Sequence, residues 1–264
     1  MMKSIHVVSS LKARGKALDE AAQWAASIGA AYEPRLRRTT TQLREDYGDN
    51  FLVYTTKGPK LFRPEGTHVF SLNMAELRIQ HLRQGQTDHL LEAVGTTRPI
   101  RILDCTCGFG ADSLVLSFGL PQGSAVTALE ASPLMAAVTG WGFTNFIHEK
   151  DDVTAALRRI TLRQADYRDV LQQLPHGAFD VIYFDPMFEK PVLSSCQFQP
   201  VRDVLHKDPL RLTDIQLALQ KATQRVVVKG RYFKELQQAL PGCTIYGGKY
   251  SRVHFAVWEV NHSG

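Results

Sequence analysis

Asp104-Cys105-Thr106-Cys107-Gly108-Phe109-Gly110-Ala111-Asp112 completes the short apolar run Ile100 to Asp104 and opens the helix-compatible stretch Asp112 to Phe118. A strand, a glycine turn and a helix in that order make a βα unit. The glycines let backbone come close to a nucleotide-like ligand with no Cβ in the way. The dinucleotide fingerprint requires a third glycine three residues after the second, and position 113 is serine. That departure weighs against a nicotinamide cofactor.

Downstream of this unit, short runs rich in β-branched or aromatic residues alternate with helical patterns, the signature of a parallel sheet. The runs are Ala125 to Glu130, Ile160 to Gln164, Val181 to Asp185 and Arg225 to Lys229, which with the first give five parallel strands. Pro133 to Phe146, Tyr167 to Leu174, Thr213 to Thr223 and Tyr232 to Leu240 have helix-compatible spacing, the third of these capped by Thr213 or Asp214. Thr244 to Tyr246, the turn Gly247-Gly248 and Val253 to Val260 read as an antiparallel hairpin closing one sheet edge.

Upstream the rhythm differs. Strand-like Ile5 to Val8, Phe51 to Thr55 and Val69 to Leu72 surround a helical stretch, Leu18 to Ile28, and predict a small separate α/β module. Asn73 to Glu76 reads as a capping box opening a helix that stops at Gly85, with Gln86 to Pro99 as the join. The expected division is residues 1–95 for the module and 96–264 for the larger domain.

A chain of 264 residues with 44% hydrophobic and 22% charged residues is an ordinary globular protein. It contains no apolar run long enough to cross a bilayer and no signal-peptide pattern at Met1 to Ser10, so no membrane role and a cytoplasmic location are expected. Four cysteines in this length do not make a disulfide framework, and the Cys105/Cys107 pair lacks a second ligand pair, so no metal is expected. The formal charge of +5 admits a nucleic-acid partner without requiring one. Residues 1 to 95 hold 13 Lys and Arg against 10 Asp and Glu, with one local cluster at Arg35, Arg37 and Arg38.

Asp104, ahead of the glycines, is placed to order the turn and to face the ammonium of an amino-acid-bearing cofactor, which S-adenosylmethionine has and NAD lacks. Glu130, ending the second strand, can accept hydrogen bonds from ribose hydroxyls. Asp166, past the third strand, can accept from an adenine amino group or cap a helix. Asp185-Pro186-Met187-Phe188 ends the fourth strand and faces the same crevice as the glycines. An exocyclic amino nitrogen on a base is a poor nucleophile because its lone pair is delocalised into the ring. The Asp185 carboxylate and the Pro186 carbonyl can accept its two hydrogens while the nitrogen becomes tetrahedral, and Phe188 can stack on the base. A plain Asp-Pro turn is the alternative. Glu189 to Leu212, with Lys190, Arg202, Lys207 and Arg211, reads as a lid or binding loop. Cys196 within it has no evident base nearby, and none of the nine histidines falls at metal-ligand spacing.

The Asp-x-Thr-x-Gly-x-Gly-x-Asp order, Asp-Pro-Met-Phe and the strand Arg225-Val226-Val227-Val228-Lys229 resemble class I methyltransferases of the RsmJ type over residues 100 to 230. Met74-Ala75 and Arg78 extend the likeness, and Pro64-Glu65-Gly66 with Asn73-Met74-Ala75 is similar to a related group from Gram-positive bacteria. The resemblance implies a Rossmann-like class I methyltransferase sheet, S-adenosylmethionine as cofactor and methylation of guanine N2 in small-subunit ribosomal RNA. It implies cofactor contacts at Asp104, Thr106, Gly108, Gly110, Glu130 and Asp166, and base contacts at Asp185, Pro186 and Phe188, with Arg78 near the site. Phe109, Asp112, Ala131 and Tyr167 complete the expected cofactor set, and Met187 and Lys190 the substrate set. Cys105 and Cys107 replace the alanines usual in that pattern, and Glu189-Lys190-Pro191 replaces its Pro-His-Lys. An amino-directed DNA methyltransferase, a nicotinamide-dependent oxidoreductase and a non-catalytic RNA- or cofactor-binding module are the competing expectations. The module 1–95, through its arginines, is the expected grip on RNA phosphates.

Overall fold

The computed structural model describes residues 5–64, 66–186 and 209–260. These group into two compact units, the first comprising 5–64, 66–71 and 132–145, the second 72–131, 146–186 and 209–260.

The first unit holds β1 (His6–Ser9), α1 (Lys16–Ser27), β2 (Ala31–Glu33), α2 (Thr40–Tyr47), β3 (Phe51–Thr55), β4 (Gly58–Arg63) and β5 (Gly66–Val69). The sheet order is β2-β1-β3-β4-β5, with β1 parallel to both neighbours and β3 to β5 antiparallel. Val8, Leu43, Phe51 and Val53 form one core cluster of this unit, and Val7, Ala21, Ala25, Leu52 and Leu61 are fully buried as well. The expected strand Val69 to Leu72 is displaced: pairing with β4 in the register Arg63↔Gly66 sets the strand at Gly66–Val69. A capping box does form, at Thr39 and Gln42.

In the second unit, α3 (Asn73–Arg83) and α4 (His89–Val94) precede β6 (Arg101–Asp104), α5 (Ala111–Gly119) and β7 (Ala125–Glu130). The box expected at Asn73 to Glu76 is not made, because Leu72 is the N-cap and Asn73 already lies inside the helix. Both α3 and α4 pack against α5, and the boundary expected near residue 95 lies within this unit. After β7 comes α6 (Pro133–Asn145), which belongs to the first unit: Trp141 covers Gly58 of β4, and Phe143 meets Phe70 edge-on.

The second unit continues with α7 (Asp151–Arg158), β8 (Ile160–Gln164), α8 (Tyr167–Gln173), β9 (Phe179–Phe184), α9 (Leu212–Lys221), β10 (Ala222–Gly230), α10 (Lys234–Ala239), β11 (Thr244–Tyr246) and β12 (His254–Glu259). Its sheet runs β11-β12-β10-β9-β6-β7-β8, parallel from β8 to β10, with β12 antiparallel between β10 and β11. This is the expected α/β Rossmann-like sheet with an antiparallel edge hairpin. The chain reverses its direction of winding between β6 and β9, which makes their carboxyl ends the switch point where such sheets bind ligands. Neither Thr213 nor Asp214 caps α9. Arg211 is the N-cap, and Asp214 at the third helical position accepts its N–H at 3.0 Å.

Candidate functional site

The site is built where β6, β7, β9 and β10 end. At the end of β6 the chain leaves the sheet through Gly108 and Gly110, with φ of 52° and 79°, values that L side chains rarely adopt. Among the described residues, a Cβ at Gly108 would meet nothing closer than the Thr106 carbonyl at 4.0 Å. Asp104, only 1% exposed, organises the turn by accepting from the Thr106 N–H at 3.0 Å and the Ser113 hydroxyl at 2.5 Å. Burial lifts its carboxyl to about 7. The buried Glu130, at the end of β7, accepts the Gly108 N–H at 2.8 Å and ties the second strand to the loop.

Asp185 follows β9, and its N–H donates to Thr106 Oγ1 at 2.6 Å, which fixes the Asp-Pro pair against the glycine loop. Lys229, near the end of β10, places Nζ 2.7 Å from both Asp185 Oδ2 and Asp112 Oδ2. Asp112 also accepts the Tyr183 hydroxyl at 2.7 Å and pairs with Arg78, which grips Asp88 through two bonds of 2.7 and 2.8 Å. Three carboxylates thus share two cations. Asp112, between Lys229 and Arg78, is held well below the usual carboxylate range despite its burial. Both cations are pushed upward by the carboxylates around them. Burial and the nearby Asp112 raise the Asp185 carboxyl, against the pull of Lys229.

Asp104, Thr106, Asp185 and Asp112 are therefore linked by direct hydrogen bonds or through the shared Lys229, and Gly108 and Glu130 form a second bonded pair on the same loop. Phe109 and Pro186 are half-buried beside them in sequence. Gly110 is the left-handed N-cap of α5. Ala131 accepts from Gln164 Nε2 at 3.2 Å. Asp166 caps α8 through the Arg168 N–H at 2.9 Å. Tyr167 is buried in the core, stacked edge-on against Phe184, with its hydroxyl on Asp214 at 3.0 Å. Met187, Phe188, Lys190 and Cys196, with the loop through residue 208, lie outside the described residues. Cys105 and Cys107 are buried, and desolvation lifts both thiols, so neither is poised as a nucleophile.

Sequence reasoning gave no role to Lys229, Tyr183 or Asp88. The only signal for Lys229 was a cation at the end of an otherwise apolar strand.

A family model described as "Putative SAM-dependent methyltransferase" matches residues 65–257. Ribosomal RNA small subunit methyltransferase J of Ectopseudomonas mendocina is 30% identical over 87% of this chain and 86% of its own length. Protein YpiP of Bacillus subtilis is 29% identical over 81% of this chain and 80% of its own. Among solved structures, a SAM-dependent methyltransferase from Neisseria gonorrhoeae superimposes with a TM-score of 0.63 at 19% identity, covering 98% of this chain and 97% of that one, a likeness of fold. With the strand order, the glycine loop and the strand-end acids, these matches make the chain a member of the class I SAM-dependent methyltransferases of the RsmJ type.

Proposed function

We propose that this methyltransferase modifies an exocyclic amino group of an RNA base, with guanine N2 of small-subunit ribosomal RNA as the target and the RNA or the small subunit as partner. The observation that carries this reading is the placement of Asp185-Pro186. Its backbone is tied to Thr106 of the glycine loop and its carboxylate is held by Lys229.

S-adenosylmethionine, the family's cofactor, supplies an electrophilic methyl group when bound. The residues present fit it: among the described residues none lies within 4 Å of a Cβ built at Gly108 but the Thr106 carbonyl at its edge, and buried Asp104 and Glu130 bring carboxylates to the loop. Asp104, Thr106, Gly108, Phe109, Gly110, Glu130, Ala131 and Asp166 would hold it. The surplus of carboxylate over cation around Lys229 favours a positively charged ligand over a neutral one. Toward the substrate, Asp185 accepts one amino hydrogen and the Pro186 carbonyl the other. These acceptors strengthen as positive charge develops on the nitrogen, and the Asp185 carboxylate is the nearest base for the proton that must then leave.

The RNA target follows the relatives named as ribosomal RNA small subunit methyltransferase J. An amino-directed DNA methyltransferase would use the same acceptors, so the substrate is decided by experiment. The protein is incubated with methyl-labelled S-adenosylmethionine and either total RNA or genomic DNA, and the nucleosides are separated. Label in N2-methylguanosine from small-subunit RNA is expected; label in DNA adenine or cytosine overturns the RNA reading.

A further inference from the structure

Of the clustered module arginines expected to grip RNA, Arg35 and Arg38 are engaged within the first unit. Arg35 is buried, bonded to the Arg38 carbonyl and Thr40, and Arg38 is held by Glu33, Asp46 and Tyr47. Only Arg37 of the three is exposed. A different surface has the composition that single-stranded nucleic acid requires, on the second unit at the reaction end of the sheet.

Two tyrosines are almost fully solvated there, Tyr232 at 92% and Tyr250 at 89% exposure. Strand register sets their place. Val228 of β10 pairs with Phe184, which puts Lys229 abreast of Asp185, and Gly230 pairs with His254 at the start of β12. Residues 231–233 leave β10, and residues 251–253 enter β12, at the same end of adjacent strands. With neighbouring strands about 4.8 Å apart, the start of β12 lies about 10 Å from the strand that carries Asp185.

Both tyrosines stand on fixed backbone. Phe233 is buried in the core against Gly230, where a Cβ would lie 2.6 Å from its ring, so the turn is anchored with Tyr232 facing out. In the second loop, Ser251 donates its N–H to the Gly248 carbonyl at 2.9 Å and its hydroxyl to the Val253 carbonyl at 2.6 Å, and Gly247 is pressed onto His254. Lys249 sits over the Tyr250 ring, 5.6 Å from its centroid. Lys234, Lys249 and Arg252 are exposed, and neither 231–234 nor 247–254 contains an acidic residue. Glu235, next to Lys234, and Glu92, paired with His89 beside Gly248, are the neighbouring carboxylates, against the three exposed cations. Exposed aromatic rings on rigid turns, set among cations, form a base-stacking and phosphate-contacting surface.

We propose that Tyr232 and Tyr250, with Lys234, Lys249 and Arg252, bind the single-stranded RNA flanking the nucleotide presented to Asp185. The inference rests on the RNA reading above.

The test measures binding of a fluorescent single-stranded RNA 20-mer to the full-length protein and to Tyr232→Ala, Tyr250→Ala, the double variant and Lys249→Ala/Arg252→Ala. Each ring removed weakens binding roughly tenfold, while Tyr→Phe at the same positions retains it. The double cation variant reduces the log-log salt slope by about 1.4, for two single-strand phosphate contacts. Thermal midpoint and S-adenosylmethionine affinity stay at wild-type values, which separates a lost surface from a lost fold. Unchanged RNA affinity in the tyrosine double variant, while the wild type still labels RNA, overturns this surface and leaves the RNA reading standing. Label found in DNA and not in RNA overturns both.

Discussion

Asp185 and Lys229 share a bond of 2.7 Å, and Asp112 competes for the same ammonium at the same distance. If the Asp185 carboxylate acts only once the amino group is being methylated, Asp185→Ala lowers transfer by about 10²-fold or more and leaves cofactor affinity within a few fold. Isothermal titration and single-turnover labelling separate the two, and normal turnover would make Asp185 a turn residue. Lys229→Met removes the cation that opposes burial at Asp185, so the carboxyl rises further and the acid limb of the turnover profile moves to higher pH. Lys229→Arg keeps the charge and brings the limb back toward wild type. A profile unmoved in Lys229→Met would show that Asp185 does not limit the acid side. Asp104, lifted to about 7 by burial, is neutral below that pH and ionised above it. Affinity for the ammonium-bearing cofactor therefore rises with pH through about 7. It is measurable by titration from pH 5.5 to 7.5, below the ordinary α-amino range of about 8. The Ser113 hydroxyl stabilises the ionised form, so Ser113→Ala moves this rise to higher pH.

Elements here are held by a few close approaches as much as by apolar faces. Gly58, which opens β4, has φ +100°, and a Cβ there would stand 2.4 Å from the Trp141 ring of α6. Gly58→Ala meets left-handed strain and overpacking together, each of order 1–2 kcal/mol, and lowers the thermal midpoint by about 4 °C or more. A midpoint within 1 °C of wild type would mean that α6 is not seated on that strand. In the second unit Arg78 joins three helices, reaching from α3 to Asp88, the N-cap of α4, and to Asp112 in the first turn of α5. Asp112 is thereby both a helix-packing residue and a co-partner of Asp185 on Lys229. α7 is an element whose signal was present and overlooked: Asp151 and Asp152 begin it, and Val153, Ala156 and Leu157 fall on one buried face. α4, six residues long, is too short for periodicity to identify.

At the scale of the molecule, the two units place different demands on their basic residues. Arg35, desolvated and bonded within the first unit, is structural, whereas Arg37 is exposed. Arg35→Glu buries a carboxylate where a guanidinium was satisfied and destabilises that unit by about 3 kcal/mol or more. Arg37→Glu changes stability by less than about 0.5 kcal/mol. Differential scanning calorimetry checks both, and equal midpoints for the two variants would refute the distinction. Reversing all three arginines is consequently a test of folding, and Arg37→Glu is the variant that reports on RNA contact by this module.

The amino-acid sequence alone determined the βα alternation, the five parallel strands, the edge hairpin and the position of Asp104, Glu130 and Asp185 at strand ends. These are local properties: β-branched runs, glycines that must turn, and acids at fixed offsets from both. Tertiary structure alone decided which charges meet. Lys229 lies 117 residues from Asp112 and 44 from Asp185, and Arg78 lies 34 from Asp112; no periodicity connects such positions. Lys229 and Asp185 come together because β9 inserts beside β6 and β10 beside β9, in a register fixed by hydrogen bonding across the sheet, and Arg78 meets Asp112 because α3 packs on α5. The same long-range packing assigned α6 to the first unit and engaged Arg35 and Arg38 within their own fold, since a side chain's availability depends on which neighbours the chain brings back to it.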